Sequence, residues 1–168
     1  RFSVVGEHIL RLEQRLGYTH KGTEQRMTQL PPLQAHRLAG RVSGDSTVAY
    51  AWAYCMALES ACGTSIPPRA ASLRALMLER ERIANHLGDL GALGNDVAFA
   101  FGLAQFSRLR EDWQRVSKAV FGHRFMMDCV VPGGVRADIS RTHTDQILTQ
   151  CDLIELEVHK LFDIYESH

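Results

Sequence analysis

Leu73-Arg74-Ala75-Leu76-Met77-Leu78-Glu79-Arg80-Glu81-Arg82-Ile83-Ala84-Asn85-His86-Leu87 is the stretch that decides the fold. Within it Leu73, Leu76, Met77, Arg80, Ile83, Ala84 and Leu87 recur close to the 3.6-residue helical period, which predicts one face turned to a core. Pro67 and Pro68 stand just ahead, where a helix takes its first turn and a missing N–H costs nothing. Gly88, Gly91 and Gly94 follow three apart. They weaken the helix and let a neighbouring helix approach closely.

Both flanks are helical as well. Ser46 is placed to cap a helix reaching about Ala61, closed by Cys62-Gly63. Asn95-Asp96 restart the chain, and a helix is predicted over residues 97–120 with Gly122 just past its end. Pro132-Gly133-Gly134 is a turn by composition. Ser140 can cap a last long helix, whose Ile147, Cys151, Ile154, Val158, Leu161 and Tyr165 form a heptad-like seam. Toward the N-terminus, residues 2–5 and 9–12 read as short strands around Gly6-Glu7-His8. A short helix is expected over residues 23–30, ended by Pro31-Pro32. The fold class is therefore mainly α (α+β): a bundle of about four long helices with a small N-terminal antiparallel β-hairpin. One domain is expected over residues 1–168, with the hairpin region at 1–22 and the bundle at 23–168. Arg1 opens directly on strand-like sequence and His168 lies inside a helical pattern, so the chain reads as a piece of a longer one.

Composition narrows the function. The 168 residues are 45% hydrophobic and 23% charged, as in an ordinary globular domain. Lysine plus arginine and aspartate plus glutamate are 19 each, so there is no basic excess for binding nucleic acid. Cys55, Cys62, Cys129 and Cys151 contain no Cys-x-x-Cys pair and fit a reducing compartment. Cys55, Cys62 and Cys151 fall in apolar helical patterns, as small hydrophobes do. No signal peptide and no membrane-spanning run is present in the sequence. Nor is there a Gly-x-Ser-x-Gly elbow, a phosphate loop or a dinucleotide fingerprint. The histidines are scattered, with no His-x-x-x-His on a helix face, so no metal site is expected.

Three stretches carry a family resemblance. They are Gly17-Tyr18-Thr19-His20-Lys21-Gly22-Thr23-Glu24, then Arg41-Val42-Ser43-Gly44-Asp45-Ser46 running into Ala53-Tyr54-Cys55-Met56-Ala57-Leu58-Glu59, then Pro67-Pro68-Arg69-Ala70 leading to Leu78 through Leu87. In that order they resemble the large subunit of membrane-bound nickel-iron hydrogenases. They equally resemble its homologue, the quinone-site large subunit of respiratory complex I. Phe121-Gly122-x-Arg124 and Pro132-Gly133-Gly134-Val135-Arg136 continue the match. Arg41-Val42-x-Gly44 and Phe106-x-Arg108-x-Arg110-Glu111 point toward the formate-hydrogenlyase type.

The resemblance implies a subunit of a membrane-associated oxidoreductase, docked against an iron-sulfur small subunit and a membrane arm on the cytoplasmic face. In such hydrogenases the second stretch reads Arg-x-Cys-Gly-x-Cys and its thiolates bind the metals. Here Ser43 and Ser46 hold those positions, and hard hydroxyls do not replace soft sulfur for nickel and iron. No cofactor is therefore expected in this chain, which alone is not expected to be catalytic. A quinone is left to the full complex. The family's quinone-binding tyrosine aligns with Gly44, so that contact is missing.

The resemblance makes Glu24 a proton-transfer residue and His20 its companion. The residues alone equally describe an acid in the first turn of a helix and a hydrogen-bonding histidine beside a glycine turn. Arg41, Ser43, Gly44, Asp45 and Ser46 would line the cleft, or Ser46 would simply cap a helix. Arg41, Glu79, Arg82, Asn85 and His86 are either a charged network or a solvated helix face. Glu79 and Arg82 share a face and can pair, whereas Glu79 and Glu81 do not face each other. The aromatics Trp52, Tyr54, Phe99, Phe101, Phe106 and Trp113 are expected in the core. A second function remains open from a different class: a scaffold or assembly module that keeps the fold without a redox site.

Overall fold

A computed structural model describes residues 1–15, 17 and 19–167; Tyr18 of the first motif, Leu16 and His168 lie outside the described residues. Strands β1 (Phe2–Val5) and β2 (His8–Leu12) pair antiparallel, with Phe2 opposite Leu12 and Val5 opposite His8. Gly6 turns the hairpin at φ 57°, a conformation that glycine adopts without steric cost. Every residue of both strands is exposed.

Helix α1 (Thr23–Met27) is shorter than expected, and Pro31-Pro32 begins a further element that the sequence pattern does not announce. That element is α2 (Pro32–Ala39), with Pro32 in its first turn. The rule applied to Pro67-Pro68 holds equally at Pro31-Pro32. Helices α3 (Thr47–Ala61) and α4 (Pro68–Asp96) follow. Helix α4 runs unbroken through its three glycines. Gly91 and Gly94 are buried against α5 (Ala100–Phe121), so tertiary packing offsets their low helix propensity.

Gly94 and Gly102 also admit the end of α6 (Arg141–Glu166). A Cβ on Gly94 would lie 2.7 Å from the Tyr165 hydroxyl, and one on Gly102 would overlap it. That hydroxyl donates to Leu90 O at 3.0 Å. Between α5 and α6 the Pro132-Gly133 turn closes a second hairpin, β3 (Val130–Val131) with β4 (Gly134–Val135).

The core has two parts. Val48, Ala51 and Cys55 of α3 meet Met77, Met126, Cys129 and Val130. Ala84 and Leu87 of α4 meet Phe106, Leu109 and Trp113 of α5 and Leu161 of α6. Trp52, Tyr54 and Phe99 are half-buried and Phe101 is 47% exposed, so the aromatic set is core only in part. Cys62 and Cys151 are exposed, contrary to their reading as core residues. Cys151 opens on an apolar groove between α4 and α6, because the α6 seam is covered on one side only. No helix among the described residues is long and apolar enough to cross a membrane.

Ser140 caps α6 as expected. Its hydroxyl accepts from His143 N at 3.2 Å, and His143 Nδ1 accepts from Ser140 N at 3.4 Å. Ser140→Ala is expected to lower the unfolding free energy by about 1 kcal/mol, read by urea titration.

Candidate functional site

The loop of residues 41–46 between α2 and α3 is fixed from several directions. The Arg41 guanidinium donates to both oxygens of Asp128, at 2.7 and 2.8 Å, and to Arg37 O. Arg41 in turn holds the Asp128 carboxyl below its usual range. Lys21 Nζ donates to Val42 O at 2.8 Å, which seats the first motif against the loop. Asn85 Nδ2, from α4, donates to Asp45 O at 2.7 Å. Arg110, from α5, stands 3.5 Å from the exposed Asp45 carboxylate. Ser43 and Ser46 are half-buried, and Gly44 is exposed.

Ser46 occupies the N-cap position of α3 but makes no side-chain capping bond. Glu81 does that work from α4. Its Oε2 accepts from Val48 N at 2.6 Å and its Oε1 from Ala49 N at 3.0 Å. Two of the amide donors at the start of α3 are thus satisfied by a residue 33 positions away. Glu81 is 8% exposed, and burial pushes its carboxyl above the usual glutamate range despite those amide bonds. Stability contributed by such a group is full at low pH and is lost as pH rises through the raised value.

Behind the loop lies a small, partly open cavity of about 20 Å³, lined by Asp45, Arg80, Glu81, Arg110, Gln114 and Arg124 among others. Arg80 is 1% exposed. Its Nε donates to Ser117 Oγ, its Nη2 to Trp113 O and Gln150 Oε1, and its guanidinium stacks 4.0 Å from the Trp113 ring. No carboxylate pairs with it among the described residues, and burial pushes its pKa down to about 10.

A second buried charge stands at the far end of α3. Arg74 is fully buried and donates to both Glu59 oxygens, at 3.0 and 2.6 Å, and to Gly134 O and Val131 O. Gly133 N completes the Glu59 shell at 2.8 Å. Glu59 of the second motif therefore meets the Pro132-Gly133-Gly134 turn, and the pair ties α3, α4 and the second hairpin together.

Not every residue singled out from the sequence gathers at the loop. The Glu24 side chain is 84% exposed and stands 3.7 Å from His20 Nε2. His20 Nδ1 accepts from Gly22 N at 2.9 Å, so it stabilises the turn before α1. Glu79 and Arg82 do pair, at 2.9 Å, but both are more than half exposed. Arg82 also touches His86, and Asn85 alone of this set reaches the loop. Arg41 pairs with Asp128 instead of joining them. Glu79, Arg82 and His86 lie on a solvated stretch of α4, while Asn85 is half-buried against the loop. Sequence reasoning does not single out Arg74 and Glu81, although they sit seven residues apart beside the buried stripe, which places them on one side of α4.

Among the described residues no three His, Cys, Asp or Glu converge as metal ligands. The donor set of the loop, two hydroxyls, the Asp45 carboxylate and backbone carbonyls, is oxygen alone and does not suit nickel or low-spin iron.

No family model matches the chain. It is 32% identical over 169 residues to the carbon monoxide-induced hydrogenase of Rhodospirillum rubrum, covering 100% of this chain and 47% of that protein. It is 32% identical over 168 residues to formate hydrogenlyase subunit 5 of Escherichia coli K12, covering 99% of this chain and 30% of that protein. It is 33% identical over 134 residues to an NADH-quinone oxidoreductase subunit of Neisseria meningitidis, covering 80% of this chain and 32% of that protein. The chain thus spans less than half the length of these relatives. Its fold matches a chain in the structure of the membrane-bound sulfane sulfur reductase, an archaeal respiratory membrane complex. The TM-score is 0.88 at 21% identity, over 97% of this chain and 44% of that one.

Proposed function

The chain belongs to the hydrogenase large-subunit-like family, which also holds a subunit of NADH-quinone oxidoreductase, and from that premise we propose that it works as a domain of the large-type subunit in a membrane-associated redox complex, without a nickel-iron centre of its own. The observation that carries this reading is the loop of residues 41–46. Its backbone is held by Lys21 and Asn85, Glu81 holds the Val48 and Ala49 amides just after it, and serines stand at both thiolate positions. The frame of a redox cleft is kept and its metal ligands are exchanged.

In this reading the domain docks against an iron-sulfur small subunit and reaches the cytoplasmic face of the membrane through partner subunits. Its cleft serves proton transfer, and a quinone belongs to the assembled complex. With Gly44 lining the loop, this chain offers no phenol there to hold a quinone headgroup.

One observation favours the second reading, a scaffold that keeps the fold without the chemistry. The space directly behind the loop is only about 20 Å³, too small for an organic substrate. The experiment is metal, iron-sulfur and turnover analysis of the full-length protein purified with its partners. Iron-sulfur clusters without stoichiometric nickel, together with quinone-dependent turnover, are expected. Stoichiometric nickel would sink the proposal. Clusters without any turnover would favour the scaffold.

A further inference from the structure

We propose that the cavity behind the loop holds one water that passes protons between solvent and the Glu81 carboxylate, making Glu81 the proton-exchanging group of this chain. This deepens the reading above and rests on it only for the use made of the proton.

The cavity's size and lining fit such an occupant. About 20 Å³ is room for a single water, which needs two to four polar partners. Arg80 Nη1 and Arg110 Nε are both buried nitrogens without a hydrogen-bond partner among the described residues, and both side chains line this cavity. A water there accepts from the guanidinium groups and can donate to Glu81. Arg80 could not otherwise be solvated, since its residue is 1% exposed.

The cavity also has a way out. A surface cleft of about 380 Å³ shares Arg110, Gln114, Arg124 and Phe125 with it, and opens beside Ser107 and Glu111. Arg124 is held across this boundary by Glu111 and by Gln114. Small movements of two long, partly exposed arginines therefore suffice to connect the inner water to solvent.

The step balances simply. Solvent in the outer cleft gives one proton to the water in the cavity, and that water gives one to a Glu81 oxygen. One O–H bond forms on the carboxylate, the water ends unchanged, and no electrons move. The charged groups that line the cavity with Glu81 are Asp45 from the loop, Arg80 on its own helix, Arg110 from α5 and Arg124 beyond α5. From α3 it meets the amides of Val48 and Ala49. Burial first, and then Asp45, favour the neutral acid, while the amides of Val48 and Ala49 favour the ion. Protonation removes the negative charge from the start of α3, where the loop of residues 41–46 ends.

Infrared spectroscopy of the full chain tests this. One buried carboxylic acid band is expected, titrating above the ordinary glutamate range, shifting in deuterated water within the mixing time and vanishing in Glu81→Gln. In Asp45→Asn the titration midpoint is expected to fall, because a neighbouring carboxylate that raises it is gone. A band that is absent, that survives Glu81→Gln, or that exchanges only as the chain unfolds would overturn the proposal. Should Glu81→Gln fail to fold, the wild-type exchange rate and the Asp45→Asn midpoint decide it. Loss of turnover in the assembled complex would count against the redox reading and leave this exchange standing, whereas slow exchange would count against this inference alone.

Discussion

Arg74→Met lowers the unfolding free energy of the chain by about 3–5 kcal/mol, the cost of leaving a buried carboxylate without its cation. Glu59 is only 9% exposed and takes two guanidinium bonds from Arg74. Removing the guanidinium strips those and also frees the carbonyls of Val131 and Gly134. The Arg74→Met/Glu59→Gln double variant is expected to recover a substantial part of the loss, since the uncompensated charge goes with its partner. Urea titration of wild type and the three variants measures the coupling. A double variant as unstable as the sum of the singles would show that the ion pair is not the operative unit.

The pair also has a pH signature. Arg74, first through its hydrogen bonds, holds the Glu59 carboxyl below the usual range. A depressed carboxyl gives stability that is present above its unfolded value and lost as pH falls through its folded value. Glu81 acts with the opposite sign, so stability should fall on both sides of an optimum. Arg74→Met should flatten mainly the acid side.

Gly102→Ala is the second large effect, about 1–3 kcal/mol of destabilisation from an added methyl that the packing does not admit. Its Cβ would overlap the Tyr165 hydroxyl, and the ring of Phe99 stands 2.8 Å away. Adding Tyr165→Phe removes the atom met first, at the cost of the bond to Leu90 O, worth about 1 kcal/mol. Thermal melts of the single and double variants should therefore show partial rescue. Full additivity of the two losses would mean that the clash lies elsewhere.

These two sites show where sequence reasoning stops. The helices at Thr47–Ala61, Pro68–Asp96, Ala100–Phe121 and Arg141–Glu166 are legible because period, proline and capping signals agree. Helix α2 is not, because Pro31-Pro32 marks an end and a beginning equally well. The loop of residues 41–46 stands out through its spacing from other motifs, and its serines through the residue types alone. Its support does not. Glu81 contacts residues 33 and 32 positions away, and Arg74 reaches a hairpin 60 positions on. Such partners follow from three-dimensional packing, which local periodicity does not encode. Charged residues beside an apolar stripe look solvated until a second helix covers them.

The manner in which the loop is held has a consequence for how such a protein can change over generations. Lys21 and Asn85 grip carbonyl oxygens of the loop, and Glu81 grips the Val48 and Ala49 amides just after it. Neither the Ser43 nor the Ser46 hydroxyl takes part in any hydrogen bond among the described residues. The main chain is constrained and the side chains at these two positions are not. Mutation can therefore exchange sulfur for oxygen, or the reverse, with little effect on folding. A lineage can lose or regain a ligand set at this loop while its architecture drifts hardly at all.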